Sequence, residues 1–364
     1  MTTLMQASNQ WASRPDDQRF TSLSALTEHC AAQRQRSRAT VVANRRVEIR
    51  PAPTDAIRGL EMVGPHGHSA NMTHWSFGQV ASLAGAPAGY LRKLPAPIAA
   101  DALNYGLKFG RPVEETGVLL TRQDAGVELR AATGPNYGRI WNADIAGMLL
   151  KRFGDGDGHW RVPGEFGKRV EVTKANTTLY ASDRDMFVFL ADEENRIEVP
   201  ARRNGQAGSL ARGFFVWNSE VGAATLGVGF FLFDYVCCNR IVWGAEQYTE
   251  KRLRHTAGAP DRWLEQVAPV LEDYSRTSAA PVTAALSAAR TDRLGDADAV
   301  NEFLAKRFSA KVAQAVSLAH LADEGRPIET RWDAITGITA YARSLQHQDS
   351  RVELEREAGK LLAA

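Results

Sequence analysis

A chain of 364 residues that is 44% apolar and 24% charged can bury a sizeable core in one or two domains, which argues against a disordered or fibrous protein. Its 44 Lys and Arg stand against 42 Asp and Glu, a formal net charge of +2, so any nucleic-acid surface must be local. Cys30, Cys237 and Cys238 contain no Cys-x-x-Cys pair, which excludes a disulfide framework and the usual zinc spacing and fits a reducing compartment.

Residues 1–20 are polar and aperiodic and read as a flexible tail. Leu23, Leu26 and Cys30 then make a short helical stripe. Arg34, Arg36, Arg38, Arg45, Arg46, Arg50 and Arg58 follow with few acids among them, and read as a solvated, partly disordered basic arm. Within it residues 41–50 look strand-like, with Val47 and Ile49 alternating against charges and Pro51 closing the run. Residues 73–85 predict a capped helix ended by Gly85, and residues 87–107 a helical pair punctuated by Pro95 and Pro97. The clearest β signal is a hairpin over residues 117–133, turning at residues 123–126. Asn142 is placed to cap a helix whose stripe is Ile145, Met148, Leu149 and Phe153.

Short strand runs follow at residues 177–180, 186–190, 214–217 and 224–233, with glycines that separate or bend them; Gly227-x-Gly229 reads as sheet packing. After Pro260 the pattern becomes helical, at residues 263–289, 300–308, 310–321, 332–345 and 351–361. The expected fold is α+β. An antiparallel β-rich core domain (21–259) carries helices on one side, and a helical C-terminal region (260–364) packs on it. The longest apolar stretch, residues 228–233, is far too short to span a bilayer, so the expectation is a cytoplasmic protein with no membrane partner.

Four clusters could carry chemistry. Asp183 and Asp185 would share one face of a strand, which suits a divalent metal or an acid/base pair, and suits equally a strand entry that bonds backbone N–H groups. Asn218 and Ser219 are turn formers, and Glu220 beside them could face the Asp183 region. Asn239 can satisfy a buried turn ahead of Arg240. Lys251, Arg252, Arg254 and His255 are the densest basic cluster, able to hold a phosphate or to form a solvated face balanced by Glu246 and Glu250. No Walker loop, His-Glu-x-x-His, nucleophile elbow or dinucleotide fingerprint occurs, so neither a cofactor nor a metal is expected.

The runs SDRDMFVFL (182–190), FVWNSEVG (215–222), DYVCCNRIVWG (234–244) and KRLRHT (251–256) together resemble the phage/plasmid-like family of uncharacterised proteins, in order and spacing. YGRIWNADI (137–145) and WDAITGITAY (332–341) extend the resemblance over residues 137–341. Gly337 and Arg240 depart from the family pattern, which more often has an Asn-Ala pair before the helix threonine and Thr after the asparagine.

The resemblance implies a mobile-element setting, often among genes for DNA handling, and by extrapolation a role in recombination or strand annealing. The leading expectation is a DNA-binding accessory protein, taking single or double strands and able to form homo-oligomers. Arg184, Arg240, Lys251, Arg252, Arg254, His255 and Arg139 would reach phosphates, and Tyr137, Trp141 and Trp217 would offer stacking platforms. A metal-dependent enzyme would instead bring Asp183, Asp185, Glu220 and His255 into one pocket. A protein-binding factor acting against host defence would show a large exposed apolar patch on the C-terminal helices.

Overall fold

Two β-sheets organise the chain in a computed structural model that describes residues 15–110, 114–156, 158–162, 171–200, 208–234, 240–241, 251–345 and 348–364. The N-terminal part runs β1 (Arg19–Phe20), α1 (Leu23–Gln35), β2 (Ser37–Ala43), β3 (Glu48–Ala52), β4 (Asp55–Val63) and β5 (Ser69–Met72). Three helices follow, α2 (His74–Leu83), α3 (Ala88–Leu91) and α4 (Ala96–Phe109), then the hairpin β6 (Glu115–Gln123) and β7 (Gly126–Thr133), and α5 (Asn142–Phe153). The central strands are β8 (Trp160–Arg161), β9 (Leu179–Ala181), β10 (Met186–Asp192), β11 (Ile197–Val199), β12 (Gly208–Asn218), β13 (Leu226–Asp234), β14 (Arg240–Ile241) and β15 (Lys251–Leu253). The chain ends in α6 (Ala259–Arg276), α7 (Ala280–Thr291), α8 (Ala297–Ala305), α9 (Ala310–Glu324), α10 (Arg331–Ser344) and α11 (Gln348–Ala363).

The first sheet has the order β2-β6-β7-β5-β4-β3, antiparallel except where β5 runs parallel to β7. Helices α2 and α4 cover one of its faces, burying Phe77, Val80, Leu103 and Leu107 against Ile49, Leu60, Val118 and Leu129. The strand expected over residues 41–50 breaks at Asn44. That side chain is buried and accepts from Thr116 Oγ1 at 2.6 Å, while its N–H donates to Glu114 O at 2.8 Å, so the chain turns there and restarts as β3. Pro51 does not close β3, which runs on to Ala52 opposite Asp55. The basic arm is likewise ordered structure, with Arg34 paired to Asp144 and Arg50 to Glu48. The side chain of Arg58 lies outside the described residues.

The second sheet has the path β1-β9-β10-β12-β13-β14, with β8 added on β10, β11 on β12 and β15 on β13. Its first strand takes Arg19 and Phe20, which the sequence assigns to a tail, and pairs them with Tyr180 and Leu179. One face carries Met186, Val188, Leu190, Phe214, Val216, Val228 and Phe230 beneath α1, α5 and α6. Leu210 and Leu232, on the same side, receive the C-terminal helices through Val282, Leu286, Trp332 and Ile335. The fold is therefore α+β, with the helices of this sheet on one side of it. Arg212 is also buried on this face, bonded to Asp192 at 2.8 Å and to the Thr277 carbonyl, which interrupts the single helix expected over residues 263–289.

The opposite face is an aromatic layer built in cross-strand rows. Phe187, Trp217 and Gly227 form one row, Phe189, Phe215 and Gly229 the next, and Ala191, Gly213 and Phe231 the third. Each glycine makes room for a neighbouring ring: a Cβ on Gly213 would come within 2.5 Å of Phe231, and one on Gly227 or Gly229 would overlap Trp217 or Phe215.

In the helical region Gly337 serves close packing, since a Cβ there would stand 3.0 Å from both Val316 O and His320 Cβ across the α9–α10 contact. Exposed apolar side chains include Tyr90 on α3 and Ile98, Tyr105 and Phe109 on α4, and Leu264, Leu318 and Leu321 on the described C-terminal helices. No described helix is long and apolar enough to cross a membrane.

Candidate functional site

The two sheets meet at residues 218–221, where β12 ends and each residue bonds a different part of the chain. Asn218 donates to Ile140 O at 2.9 Å and Asn142 Oδ1 at 2.8 Å. Ser219 Oγ donates to Arg184 O at 2.5 Å and accepts from Ala223 N–H at 2.9 Å, and its carbonyl accepts from Tyr137 OH at 2.8 Å. Val221 O accepts from Trp75 Nε1 at 3.0 Å and Gln79 Nε2 at 2.7 Å, both from α2.

Glu220 is the centre of this junction and is 1% exposed. Its Oε2 accepts from Arg130 at 3.1 Å, its Oε1 accepts from Asn142 N–H at 2.8 Å, and its carbonyl accepts from Arg139. Arg130 reaches it through a β-bulge: Leu119 pairs with Ala131 but Leu120 with Leu129, leaving Arg130 as the extra residue that a bulge re-aims. Asn142 is then the first residue of α5 and not its cap, because the Glu220 carboxylate takes its orphan N–H and sits at the positive end of the helix.

The other expected catalytic groups are engaged separately. Asp183 and Asp185 lie in the turn between β9 and β10 instead of a strand. Asp183 is exposed, its carbonyl bonded by Arg130, and the Asp185 carboxylate accepts from Ser182 Oγ at 2.9 Å. His255 stacks on Tyr137 with ring centroids 4.8 Å apart, and its Nδ1 faces the Gly138 carbonyl at 3.0 Å, an oxygen that can only accept, so Nδ1 carries the proton. Among the described residues no group of three or more His, Cys, Asp and Glu is placed to hold a metal ion. Cys237, Cys238, Asn239, Glu246 and Glu250 lie outside the described residues.

Burial, with a smaller contribution from Arg139, pushes the His255 pKa down to about 4 from its ordinary 6.5, the bond to Gly138 opposing. The folded protein holds the neutral ring, while the unfolded chain takes up a proton from about pH 6.5 downward. Stability is therefore fully present above that pH and falls as pH drops towards 4. Urea midpoints measured across this window should decline in the wild type. The decline should shrink in His255→Asn, which keeps a donor for Gly138; an equal decline would show that other groups carry it.

The cations divide into internal and external sets. Arg139 is buried, and with His255 it occupies the surroundings of Tyr137, its guanidinium 5.3 Å from that ring, so these three are parts of the junction. Lys251 and Arg252 do not form one patch. Lys251 pairs with Val228 and shares the helix-covered face, while Arg252 pairs with Gly227 and lies 6.0 Å over Trp217 on the aromatic face. Arg184 is exposed and lies 5.5 Å over Trp75. Arg240 stands opposite Phe233 in β14, its side chain outside the described residues.

Arg130, Trp75 and Gln79 also belong to the junction, and no motif in the sequence marks them. A guanidinium set among Leu129, Ala131 and Ala132 in Gly126–Thr133 was the available signal for Arg130, since a buried cation requires a partner. Nothing local marks Gln79, which accepts from Ala132 N–H at 3.0 Å and donates to Val221 O. No family model, curated protein or solved structure matches this chain.

Proposed function

We propose that this protein binds nucleic acid across the outer rim of the junction. The observation that carries the reading is a pair of exposed arginines, each over a tryptophan, on either side of the β12 end: Arg184 on Trp75 and Arg252 on Trp217. A guanidinium held on an indole keeps donors for a phosphate while its flat surface accepts a base. Arg184, Lys251 and Arg254 have no carboxylate in ion-pair contact among the described residues, so their charge is unspent. The resemblance to the phage/plasmid-like family adds a setting, DNA handling on a mobile element, in which strand annealing or recombination is the role proposed.

Fluorescence anisotropy with labelled single- and double-stranded oligonucleotides at low salt tests this. Arg184→Gln with Arg252→Gln should weaken binding by about tenfold or more and reduce the slope of affinity against salt. No binding of either oligonucleotide at low salt sinks the reading.

A further inference from the structure

A cleft of about 540 Å³ lies between α2, the α3–α4 segment and residues Gly59, Leu60 and Met72 of β4 and β5. Its apolar lining includes Leu60, Met72, Phe77, Leu91, Leu94 and Ala99. Its polar lining is cationic or neutral: Thr73, His74, Arg92 and Lys93, with no carboxylate among the described lining residues. Arg92 is held in place, donating to His74 O at 3.0 Å with its guanidinium 5.0 Å over Phe77. His74 and Lys93 are exposed and have no ion-pair partner among the described residues.

The volume falls in the range of small-molecule pockets, and an apolar lining under an unbalanced positive rim selects an amphipathic anion. Position narrows the class. His74 of the cleft is followed directly by Trp75, the ring that carries Arg184, so the first turn of α2 joins the cleft to the proposed nucleic-acid rim.

We propose that the cleft takes one unstacked nucleotide, its base against Phe77, Leu91 and Leu94 and its phosphate against Arg92, Lys93 and His74. The nucleotide comes either from a single-stranded chain or free in solution. The chain source rests on the function proposed above; the free source does not.

The test titrates the full chain with nucleoside monophosphates and inorganic phosphate by calorimetry and with single- and double-stranded oligonucleotides by anisotropy. It uses the wild type, Arg92→Gln with Lys93→Gln, Leu94→Trp to fill the cleft, and Arg184→Gln as a reference. Thermal melts confirm that each variant folds, and the two exposed cations guard against Leu94→Trp failing to fold. Both cleft variants should lower oligonucleotide affinity by about tenfold, the scale of one stacked base, and abolish any monophosphate binding. Monophosphate binding without oligonucleotide binding supports the cleft as a free-nucleotide site and removes the proposed function. Oligonucleotide binding that Arg184→Gln weakens but neither cleft variant touches, with no monophosphate bound, overturns the cleft and leaves the function standing. Inorganic phosphate bound as tightly as a nucleoside monophosphate overturns the base-binding half. No binding of any probe overturns both.

Discussion

Glu220→Ala is expected to lower the free energy of unfolding by about 3–5 kcal/mol, the usual cost of removing one partner from a buried ion pair. The carboxylate has one other bonded dependant besides Arg130, the first N–H of α5, which loses its acceptor. Buried Arg130 loses the only carboxylate bonded to it among the described residues, and Arg139, which keeps its bond to the Glu220 carbonyl, loses a neighbouring negative charge. Arg130→Met should be costly for the same reason from the other side. The double variant should cost less than the sum of the singles by at least about 1 kcal/mol, because an apolar side chain no longer needs the missing charge. Urea denaturation of the four proteins checks this. A Glu220→Ala loss under about 0.5 kcal/mol would show that the junction does not depend on the Glu220 carboxylate.

Gly138→Ala should be comparably damaging, by about 3 kcal/mol or more. A Cβ at Gly138 would overlap the carbonyl of Thr256, a backbone atom with no rotamer to change. The segment from Gly134 to Asn142 and the segment from Arg254 to Gly258 would have to separate. That breaks the Gly138 N–H bond to His255 O and the return bond from His255 to Gly138 O. Beyond the lower urea midpoint, trypsin should cut faster after Lys251, Arg252 and Arg254. Gly134→Ala is the control, since a Cβ there meets nothing within 4 Å. Equal stability of Gly138→Ala and wild type would show that the two segments part without cost.

The elements with a strong local cause were legible in the sequence. The β6–β7 hairpin has its turn residues, α2 has Thr73 in a capping box with Ser76, and the C-terminal helices keep an apolar stripe. What was not legible depends on partners far along the chain. Asn44 looks like a residue inside a strand until Thr116, 72 positions away, takes its carboxamide. Asn142 looks like a cap until Glu220 arrives from 78 positions away to do that work. The acids at 183 and 185 look paired only if strand periodicity is extended three residues ahead of Met186; a turn begins at Ser182, whose hydroxyl gathers the Asp185 carboxylate and two backbone N–H groups. The basic run at residues 251–255 is contiguous in sequence, yet strand alternation sends Lys251 and Arg252 to opposite faces and tertiary packing folds His255 inward.

The glycine–aromatic rows of the central sheet constrain how this chain can change over generations. Enlarging Gly213, Gly227 or Gly229 collides with a ring that is already seated, while shrinking Phe231, Trp217 or Phe215 first opens a void. Either single step passes through a less stable protein, so the partners are exchanged together or kept together. Among divergent relatives these positions should behave as linked pairs. The strand register of the sheet would then be recoverable from their covariation, even where the rest of the sequence has drifted beyond recognition.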